Sequence, residues 1–298
     1  MIHIENLTFS KTQYINELEL IDEKGDITGQ NDTLTISFQQ FSAIPEMAQK
    51  LRLYINDIYK GSFYISSVKI YPLQQQLKIT AKTHNFPFSK EIKKLSYDNI
   101  SFEDLVKIIT ARLGIKYKII SAPPFSYTHI SQSESDIAFL QRIVTEQGLS
   151  LSIKNETAFI SPPILNSNPI FINKNSISSI ELSLNARPKY NSVTVQTYDI
   201  QSGKTINVSA GSGNPILNIR RNFQSLQEAK HFANQKLSQL KTKKISGSLS
   251  IPLSPSISAN QTFKTNLNTI NNKLFHITKV KHLIAANQSS SELSFTEI

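Results

Sequence analysis

The sequence contains no cysteine and no tryptophan, and only two methionines and nine glycines among 298 residues. Without cysteine there is no disulfide framework, no thiolate nucleophile and no Cys-built zinc or iron–sulfur site, so stability must come from packing alone. No run approaches the roughly 20 apolar residues that a membrane helix needs. The opening MIHIENLTFSK has no basic region followed by an apolar stretch and a small-residue cleavage site, so neither export by a secretory signal nor membrane insertion is expected, and folding in a cytoplasm is. The six histidines, His3, His84, His129, His231, His276 and His282, are scattered. None forms the His-Glu-x-x-His spacing that sets two ligands on one helical face, so no metal site or cofactor is expected.

What remains is a chain long enough for two or three domains. Its net charge of +10 is unevenly placed. From residue 201 onward twelve basic residues face only Glu228, Glu292 and Glu297, so the last third holds an excess of +9. Such a surface suits an acidic partner or a passing phosphate backbone, and equally a solvated face, because charge says little about fold.

Short alternating runs dominate. Leu34, Ile36 and Phe38 alternate with polar residues in DTLTISF, the pattern of a half-buried strand. LRLYIN leads into NDIYKGSFYISSVKIY, where Asn56, Asp57 and Gly61 offer a turn, and LQQQLKITAK supplies a further strand. Three helices interrupt these runs. The first starts at Ser101, with Glu103 and Asp104 in its first turn, Leu105, Ile108, Ile109 and Leu113 on one face, and Gly114 as its stop. The second, SDIAFLQRIVTEQG, starts near Ser135 and ends at Gly148. The third has a capping box from Ser225 to Glu228, followed by Ala229, Phe232, Ala233, Leu237 and Leu240 on one stripe.

The opening and closing blocks repeat one another weakly. Leu34, Ile36 and Phe38 precede GSFYISSVK, as Leu249, Ile251 and Leu253 precede KLFHITKVK. Phe63, Ile65, Val68 and Lys69 then align with Phe275, Ile277, Val280 and Lys281, and each block closes on an alternating strand, LKITAK or ELSFTE. Four side chains agreeing in one register is more than a shared period supplies. The expected fold is β-rich α+β: two similar antiparallel β-barrel or sandwich domains, residues 1–88 and 176–298, flanking an α+β insert at 89–175, the second of them containing one helix near 225–240.

The segment SESDIAFLQRIVTEQGLSLSI resembles the signature of the phage late control D proteins and of the N-terminal part of type VI secretion spike proteins. There a serine-aspartate pair opens a helix carrying Phe-Leu-x-Arg that ends at a glycine before a strand. The matching residues are Ser135, Asp136, Phe139, Leu140, Arg142 and Gly148. The resemblance extends in order to NDTLTISF, YNSVTVQTYD, SLQEAKHFANQKL with GSLSIPL, and the final FHITKVKHLI and ELSFTE. It implies a contractile-tail baseplate hub: a homotrimeric structural ring that adapts a threefold central spike to a sixfold tail tube, assembled in the bacterial host cytoplasm and residing in the virion. Its implied partners are the spike protein, the tube subunits and other baseplate proteins, with DNA or a tape-measure protein passing through the channel. The sequence departs from the spike proteins in ending at Ile298, where those continue into an oligosaccharide-binding-fold domain and a β-helical needle, and in having no tryptophan. The turn pair Gly61 and Ser62 is also replaced by Lys273 and Leu274 in the second block.

Two other functions fit parts of the chain. A nucleic-acid-binding module would use the basic last third, with Arg220, Arg221, Lys241, Lys243 and Lys244 as candidate partner-facing or channel-facing residues, although no recognition-module signature accompanies them. A tail-associated cell-wall-degrading enzyme would need a carboxylate pair such as Glu134 with Asp136. Capping at a helix start already accounts for both acids. No G-x-S-x-G elbow or P-loop is present, and the glycine cluster SAGSGNP at 209–215 reads as a flexible loop, so no catalytic residue is expected. Phe139, Leu140 and Ile143 are expected to pack the insert and to contact no ligand.

Overall fold

The computed structural model describes residues 2–6, 14–23, 32–41, 43–83, 91–120, 125–162, 168–184, 190–199, 203–220, 223, 225–240, 245–271 and 273–298. The first strands are β1 (Ile2–Glu5), β2 (Tyr14–Glu23), β3 (Thr33–Gln39), β4 (Lys50–Ile55), β5 (Ile58–Tyr71) and β6 (Gln76–Lys82). A middle stretch follows with β7 (Lys93–Ser101), α1 (Phe102–Leu113), β8 (Lys116–Ile119), β9 (Ser126–Glu134), α2 (Asp136–Glu146), β10 (Ser150–Lys154) and β11 (Thr157–Ser161). The rest comprises β12 (Ile170–Ile172), β13 (Ser179–Leu184), β14 (Ser192–Asp199), β15 (Lys204–Gly211), β16 (Ile216–Arg220), α3 (Leu226–Leu240), β17 (Ile245–Pro252), β18 (Thr262–Thr265), β19 (Phe275–Ala285) and β20 (Gln288–Glu297). Among the described residues the protein is mostly β-sheet with three helices, at the positions their caps predict.

The local reasons are visible. Ser101 Oγ accepts the Asp104 N–H at 3.0 Å, Ser135 Oγ the Ala138 N–H at 3.4 Å, and Ser225 Oγ the Glu228 N–H at 3.1 Å, each satisfying a donor that the first helical turn leaves orphaned. Gly114 ends α1 at φ +68°, a left-handed conformation with no Cβ penalty. The β4–β5 turn is Asn56–Asp57, both left-handed, as two-residue hairpins require. Gly61 lies beyond it, inside β5, next to the register shift at Leu53/Tyr54, and so does not belong to the turn.

Twelve strands form one sheet. The first six pair in the order β1-β4-β5-β6-β3-β2, and their inward residues, including Leu34, Ile36, Leu51, Leu53, Phe63, Leu77 and Ile79, make one buried core. The others pair as β12-β18-β19-β20-β17-β13 around a core that holds Leu249, Ile251, Phe263, Phe275, Ile277, Leu293 and Phe295. The rings of Phe263, Phe275 and Phe295 meet pairwise with centroids 5.1 to 5.3 Å apart. These two orders match strand for strand, except that β1–β4 is antiparallel and β12–β18 parallel.

The match extends to detail. Both long hairpins carry a register shift at the same point, between Ile65 and Ser67 in β5 and between Ile277 and Lys279 in β19. Ladder positions also set the true alignment of β3 with β17. Ile36 lies opposite Ile79, and Leu249 opposite Leu293, so Leu249 corresponds to Ile36 and not to Leu34. The shift is two residues, which leaves every side chain on the same face.

Two smaller cores complete the chain. One joins α1, α2 and β7–β11, burying Phe102, Leu105, Ile109, Phe139, Leu140, Ile143 and Val144. Its β10–β11 turn docks on the first strands: Asn155 Oδ1 accepts the Ser62 N–H at 3.0 Å, and Lys50 Nζ reaches Glu156 at 2.8 Å. The other packs α3, through Ala229 and Ala233, on the three-stranded sheet β15-β14-β16. That sheet takes in Ser209–Gly211 as the end of β15, so the first half of the glycine cluster is strand and not loop.

Candidate assembly interface

The two six-strand sets meet edge to edge. β2 pairs antiparallel with β19 over seven residues, from Lys279 opposite Glu23 to Ala285 opposite Glu17. Ion pairs flank the seam, Lys281 with Glu19 at 2.7 Å and Lys279 with Glu23 at 3.0 Å. The hydrogen bond from Lys281 to the Glu19 carboxylate raises that ammonium above the ordinary lysine range. Leu18 and Leu20 of β2 face inward and are 0% and 1% exposed.

In phase with them stands Asp22, a carboxylate pointing into the protein. It accepts a bond from Lys154 of β10 and the Ala259 N–H at 3.1 Å. Lys154 also lies 3.7 Å from Asp32, which accepts the Glu23 N–H at 3.1 Å. Nearby, Lys60 donates to the Pro255 carbonyl at 2.8 Å, and His282, fully buried, has Nδ1 2.8 Å from Ser291 Oγ. Three parts of the chain thus meet at one buried charge cluster.

Burial pushes the Asp32 carboxyl up to about 7 against the attraction of Lys154. Burial alone would depress Lys154, but Asp32 and Asp22 outweigh it and raise the ammonium. Burial also lowers Lys60, and it lowers His282 to about 4 with help from the Lys60 charge. A charge removed from water in this way is tolerated only with partners in place. The cluster therefore fixes how β10 sits against the seam.

Several strand edges have no partner among the described residues, those of β13 and β5 among them. β13 pairs only with β17, leaving its other edge open. β5 is covered by β4 as far as Tyr64, and Ile65 bonds Gln49 and Ala48 just before β4, so from Ser66 onward β5 has β6 on one side alone. Exposed apolar side chains lie at both places: Ile70 and Tyr71 at the end of β5 with Leu73 just beyond it, and Leu184, 78% exposed, at the end of β13. Open edges offer unpaired N–H and C=O groups that a neighbouring strand can complete. An open groove of about 510 Å³ runs beside β12, walled by Phe171, Ile251, Leu253 and Ile257.

The helical signature residues have structural partners. Ser135 caps α2, while Phe139 and Leu140 are fully buried. Asp136 receives Arg112 at 2.6 Å, Lys93 at 2.9 Å and Gln132 at 2.9 Å. Burial opposes its charge, yet these donors prevail and hold the carboxyl below the usual aspartate range. Arg142 lies over the Phe139 ring at 5.0 Å, bonds Glu134 at 2.7 Å and donates to the Ser131 carbonyl at 2.7 Å. Glu134 and Asp136 are thus each neutralised by cations. Gly148, at φ +70°, turns the chain beside Gln235 of α3.

Of the basic candidates, Arg220 is exposed at the end of β16. Arg221, Lys241, Lys243 and Lys244 lie outside the described residues. Among the described residues no group of three or more His, Asp or Glu could hold a metal ion, and no helix is long and apolar enough to cross a membrane.

A family model described as the Alg8 N-terminal domain matches residues 54–275, well over half of the sequence. The chain belongs to the Alg8 N-terminal domain family. That model differs from the late control D family that the α2 segment resembles. No curated protein matches this family member. Its fold does match solved structures. A tail protein from Neisseria meningitidis MC58 aligns with TM-score 0.78 at 10% identity, over 99% of this chain and 96% of that one. The 43 kDa tail protein of prophage MuSo2 from Shewanella oneidensis aligns with TM-score 0.75 at 10% identity, over 99% and 97%. An E. coli component of the type VI secretion system, described as similar to the T4 tail proteins gp27 and gp5, aligns with TM-score 0.65 at 11% identity, over 100% and 77%. The family member therefore has the fold of phage tail proteins.

Proposed function

We propose that this protein is a non-catalytic structural subunit of a contractile phage tail or related injection system, a homotrimeric baseplate hub that joins a threefold spike to a sixfold tail tube. The observation that carries the reading is the recurrence of one strand order, β1-β4-β5-β6-β3-β2, as β12-β18-β19-β20-β17-β13. Two like β modules per chain, multiplied by three chains, present six similar faces, and closed symmetry propagates a contact only where equivalent surfaces recur. On this reading residues 1–88 and 176–298 are the like modules, the second joined by β12 from the stretch before it, and the rest of 89–175 is the insert. The late control D resemblance and the tail-protein fold support it independently. The central spike, tube subunits and other baseplate proteins are the partners, and the virion tail is the site of residence.

The mass of the purified chain in solution tests this. Light scattering should give about three times the 33.5 kDa chain mass, insensitive to salt and without DNA affinity. A monomer that binds DNA with an affinity falling steeply with salt would instead establish the basic last third as a nucleic-acid surface.

A further inference from the structure

We propose that the open edge of β13 pairs with the open second half of β5 in a second copy of this chain, in the register that β2 and β19 already show within one chain. The inference deepens the hub reading and rests on it, by naming the contact through which one copy follows the next.

The two seams are equivalent by strand correspondence. β19 corresponds to β5 and β2 to β13, because each pair holds the same place in the two strand orders. Residue by residue, Val280, Lys281, His282 and Leu283 correspond to Val68, Lys69, Ile70 and Tyr71, anchored by the shared register shift at Ile277 and Ile65. Leu18, Glu19 and Leu20 correspond to Ile180, Glu181 and Leu182: Leu18 faces Ile36, Ile180 faces Leu249, and Ile36 and Leu249 are themselves counterparts. The internal register then sets Val68 opposite Leu184, Lys69 opposite Ser183, Ile70 opposite Leu182, and Tyr71 opposite Glu181 of the next copy.

Three observations support that contact. Within the chain, Lys281 pairs diagonally with Glu19, and their counterparts are Lys69 and Glu181, both exposed and neither ion-paired with another described residue. The charges needed for the same bond are thus already present. Second, Leu18 and Leu20 are fully buried at the occupied seam, whereas Ile180 and Leu182 are only half-buried. Third, Ile70 and Leu184, which the register sets diagonally on one face of the joined sheet, are both exposed large apolar residues. Pairing two different edges is a heterologous contact, which makes a ring where the rotation closes and a filament where it does not.

Since the chain has no cysteine, introduced thiols report only on one another. Six strands lie between β5 and β13 in the sheet. In the full-length Lys69→Cys/Ser183→Cys double variant, mild oxidation should give a denaturant-resistant ladder that ends at three copies. Ile21→Cys/Lys281→Cys, opposite one another in the internal seam, should give only a bridged monomer. Lys69→Glu and Glu181→Lys should each weaken self-association about tenfold or more, and the two together should restore it, as a reversed ion pair does. A trimer by light scattering that neither cross-links nor responds to these charges would overturn the seam and leave the hub reading standing. A monomer at every concentration would remove both. A ladder that continues past three copies would retain the seam and overturn closure into a threefold ring.

Discussion

Ser66 and Thr278 occupy the same point in two hairpins: each sits in a strand bulge and donates its hydroxyl to a carbonyl of the neighbouring strand, Ser66 to Thr80 at 3.0 Å and Thr278 to Ser294 at 3.1 Å. Thr80 and Ser294 are counterparts as well, since each pairs with the first residue after its bulge. Bulges re-aim a strand and pin its register. The same device, held by the same bond, therefore bends both long hairpins.

Removing either hydroxyl should cost a similar amount. Ser66→Ala and Thr278→Val are each expected to lose about 0.5–1.5 kcal/mol, the net worth of one hydrogen bond, with Ser66 toward the lower end because it is exposed. The two sites lie in separate cores, so their effects should add in the double variant. Urea unfolding midpoints measure this, and a loss confined to one hairpin would contradict the equivalence.

The buried cluster predicts opposing pH slopes. Asp32 has a folded pKa of about 7, raised from 3.8, so the folded state holds the extra proton and this group's contribution to stability falls as pH rises from about 4 to 7. His282 has a folded pKa of about 4, lowered from 6.5, so the unfolded state holds the extra proton and stability falls as pH drops from 6.5 to 4. In the wild-type protein the two slopes oppose one another through that window. Asp32→Asn should remove the first and gain stability relative to wild type as pH rises to 7. His282→Asn should remove the second and leave a downward slope with rising pH. Unfolding free energies at pH 4.5, 5.5, 6.5 and 7.5 distinguish them, and parallel profiles for all three proteins would refute the assignment.

Local chemistry made the helices and most strand faces readable. Ser101, Ser135 and Ser225 are capping residues, Gly114 supplies a left-handed stop, and the alternation through Leu34, Ile36 and Phe38 reports its buried face directly. The separate sheet β15-β14-β16 under α3 was not readable, because the parallel pairing of β14 with β16 is decided by contacts outside either strand. The charge cluster joins Asp22 to Lys154 across 132 positions, a distance that no local pattern spans. One signal was present. In ELELID the aspartate falls in phase with Leu18 and Leu20, and an inward charge in an alternating strand marks a buried partner.

The α2 region should behave as structure. Leu140→Ala, fully buried, is expected to cost about 2–5 kcal/mol, from lost transfer energy plus the cavity left behind. Asp136→Ala should cost about 3–5 kcal/mol, because it strands Arg112 and Lys93 beside a site that neutralised them. Denaturant unfolding measures both, and a neutral result at either position would remove the structural role given to this helix.

Gly247 shows how the two modules reach one density with different side chains. In the first, Leu34 lies opposite Ala81; at the matching rung of the second, Gly247 lies opposite Phe295. Large and small have changed places across the ladder, which conserves volume. The exchange leaves position 247 with no room: an added Cβ would sit 2.1 Å from the Glu181 carbonyl oxygen of β13 and 3.1 Å from the Phe295 ring. Gly247→Ala must therefore push β13 off β17, at a cost of about 1–3 kcal/mol typical of overpacking. Because β13 is held by β17 alone among the described residues, the damage should concentrate there. Amide hydrogen exchange should accelerate across Ser179–Leu184 while β2, its counterpart, stays protected. Uniform exchange across both strands would mean that β13 has support beyond β17, as the β5 edge of a second copy would supply.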